Sequence, residues 1–87
     1  MTIDQFNKKY ENHLEDGHYG LAIGAPEFVK WLDTKFEEFI KKPDFKFSQI
    51  KAKFGYGRFY CEGLTNEEIY EVEQKITDLH SGTKLEF

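Results

Sequence analysis

Residues 46–62, KFSQIKAKFGYGRFYCE, constrain the fold more than any other stretch of the chain. Ile50, Ala52 and Phe54 alternate with Gln49, Lys51 and Lys53, and beyond Gly55-Tyr56-Gly57 the residues Phe59 and Cys61 alternate with Arg58, Tyr60 and Glu62. Apolar and polar positions that repeat every second residue on both sides of a glycine-rich turn predict a β-hairpin. Gly55 and Gly57 are read as supplying the positive φ angles of a tight turn, with Tyr56 carried at its tip. Such a hairpin has two chemically different faces. Ile50, Ala52, Phe54, Phe59 and Cys61 form an apolar one, which a strand pair buries only against helices or a further sheet. Gln49, Lys51, Lys53, Arg58 and Tyr60 form the other. Phe45 and Phe47 have the wrong parity for the apolar set, so the pattern predicts a bulge near Ser48 or a strand that begins there.

Helical patterns flank the hairpin. Thr2 and Gln5 have the spacing of a capping box, and Ile3, Phe6, Tyr10 and Leu14 then recur at helical intervals until Gly17, which predicts a helix over 3–15. Residues 18–24 are punctuated by glycine while Tyr19, Leu21 and Ile23 alternate, so this segment is a loop or a short strand and not a helix. Pro26 occupies the first-turn position where its missing N–H costs nothing, and Glu27 suits the positive end of the helix dipole. Phe28, Leu32, Phe36 and Phe39 make one stripe, widened by Val29 and Ile40 and flanked by Trp31; Pro43 stops this helix, predicted over 26–42. Thr65 with Glu68 repeats the capping box, and Ile69, Val72, Ile76 and Leu79 run down one face of a helix over 66–80 towards Gly82. In the tail, 81–87, Thr83, Leu85 and Phe87 alternate, so it adds a strand or frays.

These elements predict a small single α+β domain of 87 residues. A central hairpin at 46–62 is covered on its apolar face by the second and third helices, with the first at an edge. A strand from 19–23 or from the tail would extend it to a three-stranded antiparallel sheet. Nine Phe, five Tyr and one Trp imply a core of a few large rings rather than many aliphatics. One cysteine allows no internal disulfide, which fits a reducing compartment. No apolar run reaches the ~20 residues of a membrane span, and the N-terminus lacks the apolar core of a signal peptide. A soluble, cytoplasmic protein is the expectation.

The net charge of −4 conceals a partition. Residues 1–44 hold nine acids and six bases, 45–60 hold four bases and no acid, and 61–87 hold seven acids and two bases. An acidic domain with a basic ribbon repels phosphate globally, so it is no general nucleic-acid coat, yet it can hold one anion locally. Lys51, Lys53 and Arg58 offer donors to phosphate or carboxylate, and Tyr56 and Tyr60 offer rings for stacking. The plain alternative is a solvated face whose lysines blunt an exposed strand edge. His18 lies in a loop, where functional groups concentrate, but His13, His18 and His80 show no metal-ligand spacing and read more simply as surface or capping residues. Cys61 shares parity with Phe59 and reads as a small buried hydrophobe rather than a nucleophile. Glu67, Glu68, Glu71 and Glu73, like Glu37 and Glu38, read as solvated helix faces. No phosphate loop, dinucleotide fingerprint or nucleophile elbow is present, and nothing argues for an enzyme or a cofactor.

The run from Ile50 to Gly63, IKAKFGYGRFYCEG, resembles a motif of small uncharacterised phage and bacterial proteins, I-K-x-K-F-G-x-x-R-F-Y. It is matched here by Ile50, Lys51, Lys53, Phe54, Gly55, Arg58, Phe59 and Tyr60, and the flanking amphipathic segments are similar to that family's layout, so the likeness spans about residues 17–80. The resemblance implies a phage or bacterial accessory setting and no activity. Some larger relatives continue into a zinc-ribbon-like tail with paired cysteines; this chain has Cys61 alone, so no metal carries over.

The first expectation is a non-catalytic binding module that holds an anionic ligand or an acidic protein surface through Lys51, Lys53, Tyr56, Arg58 and Tyr60, with His18 as a further contact. Arg58 has an internal alternative, reaching Glu68 or Glu71 on the third helix. A homodimer through exposed aromatics or a strand edge is the second expectation, and a single-stranded nucleic-acid binder the third.

Overall fold

The computed structural model describes residues 1–23, 25–53 and 56–81, leaving aside the side chains of Ala52, Lys53, Tyr56, His80 and Ser81. In chain order the elements are α1 (Ile3–Lys9), a 3-10 turn (Glu11–His13), β1 (Gly20–Leu21), α2 (Pro26–Phe39), β2 (Lys46–Lys53), β3 (Tyr56–Glu62) and α3 (Asn66–Ser81). The chain forms a small compact α+β domain around a three-stranded sheet of order β1-β2-β3.

The hairpin of β2 and β3 is antiparallel, with Lys53 opposite Tyr56 and Lys46 opposite Glu62. Tyr56 therefore opens β3 rather than standing at a turn tip, while Phe54 and Gly55 lie outside the described residues. β1 runs parallel to β2, pairing Gly20 with Gln49 and Leu21 with Ile50. The sheet is mixed, not antiparallel, because α2 lies between β1 and β2 in the chain and a helical crossover returns the next strand in the same direction. A strand from the tail, 83–87, falls outside the described residues.

Ser48 is the extra residue of a bulge, since Phe47 faces Cys61 but Gln49 faces Tyr60. The insertion resets the phase, so that Phe47 and Ile50 are both fully buried although three apart. On this buried side Phe36 of α2 is the hub. Its ring lies 5.0 Å from Phe6, Tyr10 and Phe47, 5.1 Å from Phe45 and 5.9 Å from Phe59. Such ring pairs contribute about 0.5–1.5 kcal/mol each beyond the area they bury.

α3 covers the same side from the β3 edge. Gly57 lets it do so, since a Cβ there would overlap the Ile76 side chain and stand 3.0 Å from the Glu73 carbonyl. Gly57 thus serves helix approach rather than the turn, and its φ is not positive. Three contacts run in opposite senses along α2 and α3: Lys42 with Glu68 at 2.5 Å, Lys35 with Glu71 at 2.6 Å, and Lys75 5.5 Å from the Trp31 ring. The helices are therefore antiparallel.

Both outer strands have their edges closed by helical side chains. Gly57 N–H donates to Thr77 Oγ1 at 2.8 Å and Phe59 N–H to Glu73 Oε2 at 3.0 Å. On β1, Leu21 N–H donates to Asn7 Oδ1 at 2.8 Å and Asn7 Nδ2 donates to the Leu21 carbonyl at 3.0 Å, so one amide imitates a neighbouring strand. Gly20, at φ 72°, leaves room for it; a Cβ there would sit 2.7 Å from Asn7 Oδ1.

The expected capping boxes of α1 and α3 are both formed. α1 nevertheless ends at Lys9 rather than at residue 15. The Leu14–Phe47 bridge and the 2.9 Å bond from Glu15 N–H to the Phe47 carbonyl draw the following chain into an extended path beside β2. α2 ends at Phe39 rather than at 42, because Lys41 and Lys42 bond back to Glu38 and Phe39 in a tighter turn ahead of Pro43.

Candidate binding face

With helices on one side only, the sheet's other side faces solvent. The register arranges it in rungs: Lys51 opposite Arg58, Gln49 opposite Tyr60, and Lys46 opposite Glu62. Lys51 and Arg58 are exposed, and Tyr60 retains 46% of its surface. Directly opposed side chains in an antiparallel pair have Cβ atoms about 4.5–5.5 Å apart, so Lys51 and Arg58 put two positive charges within reach of one ligand group. Like charges so placed repel, and a sheet that keeps them gives up a little stability. The Lys46–Glu62 rung is of opposite sign, and Lys46 Nζ also donates to the Asn12 carbonyl at 2.9 Å.

The expected site residues are brought together in part. Lys51, Arg58 and Tyr60 lie on adjacent rungs of one face, and the register sets Lys53 opposite Tyr56, though those two side chains lie outside the described residues. Arg58 also has an interaction of its own within the chain. Glu68 and Glu71, its expected internal partners, are engaged by Lys42 and Lys35. His18 stands elsewhere, at the bulge end. Its Nδ1 lies 3.5 Å from Glu15 Oε2, which accepts a 2.7 Å hydrogen bond from Ser48 Oγ. Here the carboxylate sits between hydroxyl and imidazole, so the imidazole is not placed to take the Ser48 proton, as a nucleophilic serine would require. The group ties the 14–19 segment to the bulge.

Sequence reasoning missed this tie, although the parity break at Ser48 was its signal. It also missed the cluster joining α1 to α2, where the Tyr10 hydroxyl donates to Asp33 Oδ1 at 2.6 Å and Lys9 reaches both Asp33 and Glu37. Burial, then the bond to Asp33, pushes the Tyr10 hydroxyl well above the usual phenol range. Burial alone would raise the Asp33 carboxyl, but the Tyr10 hydroxyl and the Lys9 ammonium outweigh it and hold the group below the usual range. Cys61 is half-buried, and burial with the nearby carboxylates of Glu73 and Glu15 pushes its thiol up to about 12. At neutral pH it is a neutral thiol, the unreactive form.

Among the described residues no group of three or more His, Cys, Asp or Glu is placed to hold a metal ion, and no helix is long and apolar enough to cross a membrane. Compared with protein-family models, curated proteins and solved structures, the chain matches none. Its function is therefore read from its own geometry.

Proposed function

We propose that the chain is a non-catalytic binding module that holds an acidic protein surface on the open side of its sheet, in the phage or bacterial accessory setting that the Ile50–Tyr60 motif suggests and in the reducing cytoplasm that a lone cysteine fits. The observation that carries this reading is the uncovered rung of Lys51 and Arg58 beside the exposed Tyr60 ring. The face is flat and built from strands, which suits a broad partner better than a small molecule needing a concave site. Arg and Tyr are the residue types that dominate binding energy at such surfaces. A nucleic-acid strand fits less well, because the rung of Lys46 and Glu62 ends the cationic run after a short distance.

The triple variant Lys51→Gln, Lys53→Gln, Arg58→Gln tests the proposal. It should lose at least the greater part of partner capture from host lysate, in a salt-sensitive manner, while its Tm stays close to that of the parent. Unfolding of the variant would make these side chains structural, and undiminished capture would place the interface elsewhere.

A further inference from the structure

We infer that Gln49, Tyr60 and Lys51 receive a side-chain carboxylate of the partner protein, and that the neutral rung of Gln49 and Tyr60 selects it. The inference rests on the reading above and names the residues that give the same face its specificity. Gln49 stands directly opposite Tyr60, and Lys51 follows Gln49 by two residues on the same side of β2. Long side chains reach one another across a rung and along its diagonal, so the Gln49 amide, the Tyr60 hydroxyl and the Lys51 ammonium can converge on one group. Among the described residues none of these three side chains makes a hydrogen bond or an ion pair, so their donors are open to a ligand. Arg58 has its own interaction within the chain, and the site does not draw on it.

The three donors fix the class of the group. An ammonium only donates, while an amide N–H and a hydroxyl can each turn a proton towards an acceptor, so the shared requirement is an acceptor that carries negative charge. A carboxylate meets it with two oxygens that accept from several directions. The donors differ in how firmly the sheet holds them. Gln49 is half-buried and Tyr60 keeps about half of its surface packed, whereas Lys51 is exposed. A tyrosine ring loses little freedom on binding, while a solvated lysine gives up much more. Geometry therefore comes from the neutral rung and attraction from the ammonium. The bulge decides the rung, because without it Ser48 rather than Gln49 would face Tyr60. Gly20, the neighbour of Gln49 in β1, brings no side chain beside it.

The test is an NMR titration of the full chain with two capped, alanine-flanked peptides, one carrying glutamate and the other glutamine. The glutamate peptide should shift the side-chain amide of Gln49 and the backbone amides of Lys51 and Tyr60, and the glutamine peptide should not. Gln49→Met and Tyr60→Phe each remove one donor and leave the charge of the face as it was. Each should weaken the glutamate peptide about fivefold, the loss of one hydrogen bond to a charged group, with Tm unchanged. Undiminished binding in either neutral variant overturns the selecting role of the rung and leaves the acidic-surface reading standing. Absence of shifts at these positions with the glutamate peptide at millimolar concentration also overturns it. Should the triple variant above retain capture as well, the acidic-surface reading falls with it.

Discussion

Gly57 shows how much a single residue can decide. α3 lies so close to β3 that a methyl group at position 57 would overlap Ile76 and press on the Glu73 backbone, which cannot yield as a flexible side chain would. Gly57→Ala should therefore destabilise the fold by about 1–3 kcal/mol, the range for forcing extra volume into a close-packed contact, as measured by urea unfolding. A loss within a few tenths of a kcal/mol would mean that α3 stands farther from the sheet. Cys61 allows an independent check on burial at the same strand. With its thiol pushed up to about 12, alkylation of the folded protein at pH 8 should be slow and should accelerate sharply in denaturant. Rapid reaction in the native state would show that the thiol is neither desolvated nor surrounded by carboxylates.

At the scale of elements, what was legible in the sequence was what depends on near neighbours in the chain. The alternation of Ile50 with Lys51 and of Phe59 with Arg58 reveals the strands and their faces, the Thr2–Gln5 and Thr65–Glu68 spacings reveal two helix starts, and the parity of Phe47 reveals the bulge. Features set by distant partners were not legible. A Gly-Tyr-Gly turn would have placed Phe54 opposite Arg58, so the rung of Lys51 and Arg58 appeared only with the true register. Likewise, the early end of α1 depends on Phe47, far along the chain, and the parallel direction of β1 on the crossover through α2. α1 is held by Asn7 at one end of its contact surface and by the Lys9, Tyr10 and Asp33 cluster at the other. Asn7→Ala removes the acceptor of the Leu21 N–H as well as the donor to the Leu21 carbonyl, whereas Asn7→Asp keeps an oxygen that can accept the N–H, so hydrogen exchange at the Leu21 amide should speed up more in Asn7→Ala than in Asn7→Asp. Equal protection in both variants would remove Asn7 from the edge. Asp33 has a folded pKa below its unfolded value, so its contribution is present above about pH 4 and is lost as pH falls through the folded value. Lys9 is shifted upwards, so its contribution is present below about pH 10 and is lost only as pH rises through the folded value. Asp33→Asn should accordingly lower Tm at pH 7 and flatten its decline as pH falls below about 4. An unchanged acid limb would assign acid sensitivity to other carboxylates, such as Glu68, which Lys42 holds below its usual range.

Across the whole molecule, an acidic chain carries a group of cationic residues, Lys46, Lys51 and Arg58, on the sheet face that no helix covers, while its other described cations belong to the helices and their ends. This layout bears on self-association, for which the exposed rings of Tyr19, Tyr60 and Tyr70 offer contact area. Two copies meeting sheet to sheet would bring together Lys46, Lys51 and Arg58 from each, set against a single Glu62 per copy. Repulsion between the faces would then oppose the contact in either orientation, and more strongly at low ionic strength, where the Debye length reaches about 30 Å at 0.01 M. The edges offer no easier route, because Asn7 closes β1 while Glu73 and Thr77 close β3. The chain should therefore sediment as a monomer at low salt across a wide concentration range. If the sheet face has any tendency to pair, the dimer should appear on adding salt and should strengthen further in the Lys51→Gln, Lys53→Gln, Arg58→Gln variant. A dimer that is tight at low salt and lost on Tyr60→Ala would place self-association on the binding face and would displace the acidic partner from it. A dimer lost instead on Tyr70→Ala would use the outer side of α3 and leave the sheet face available to that partner.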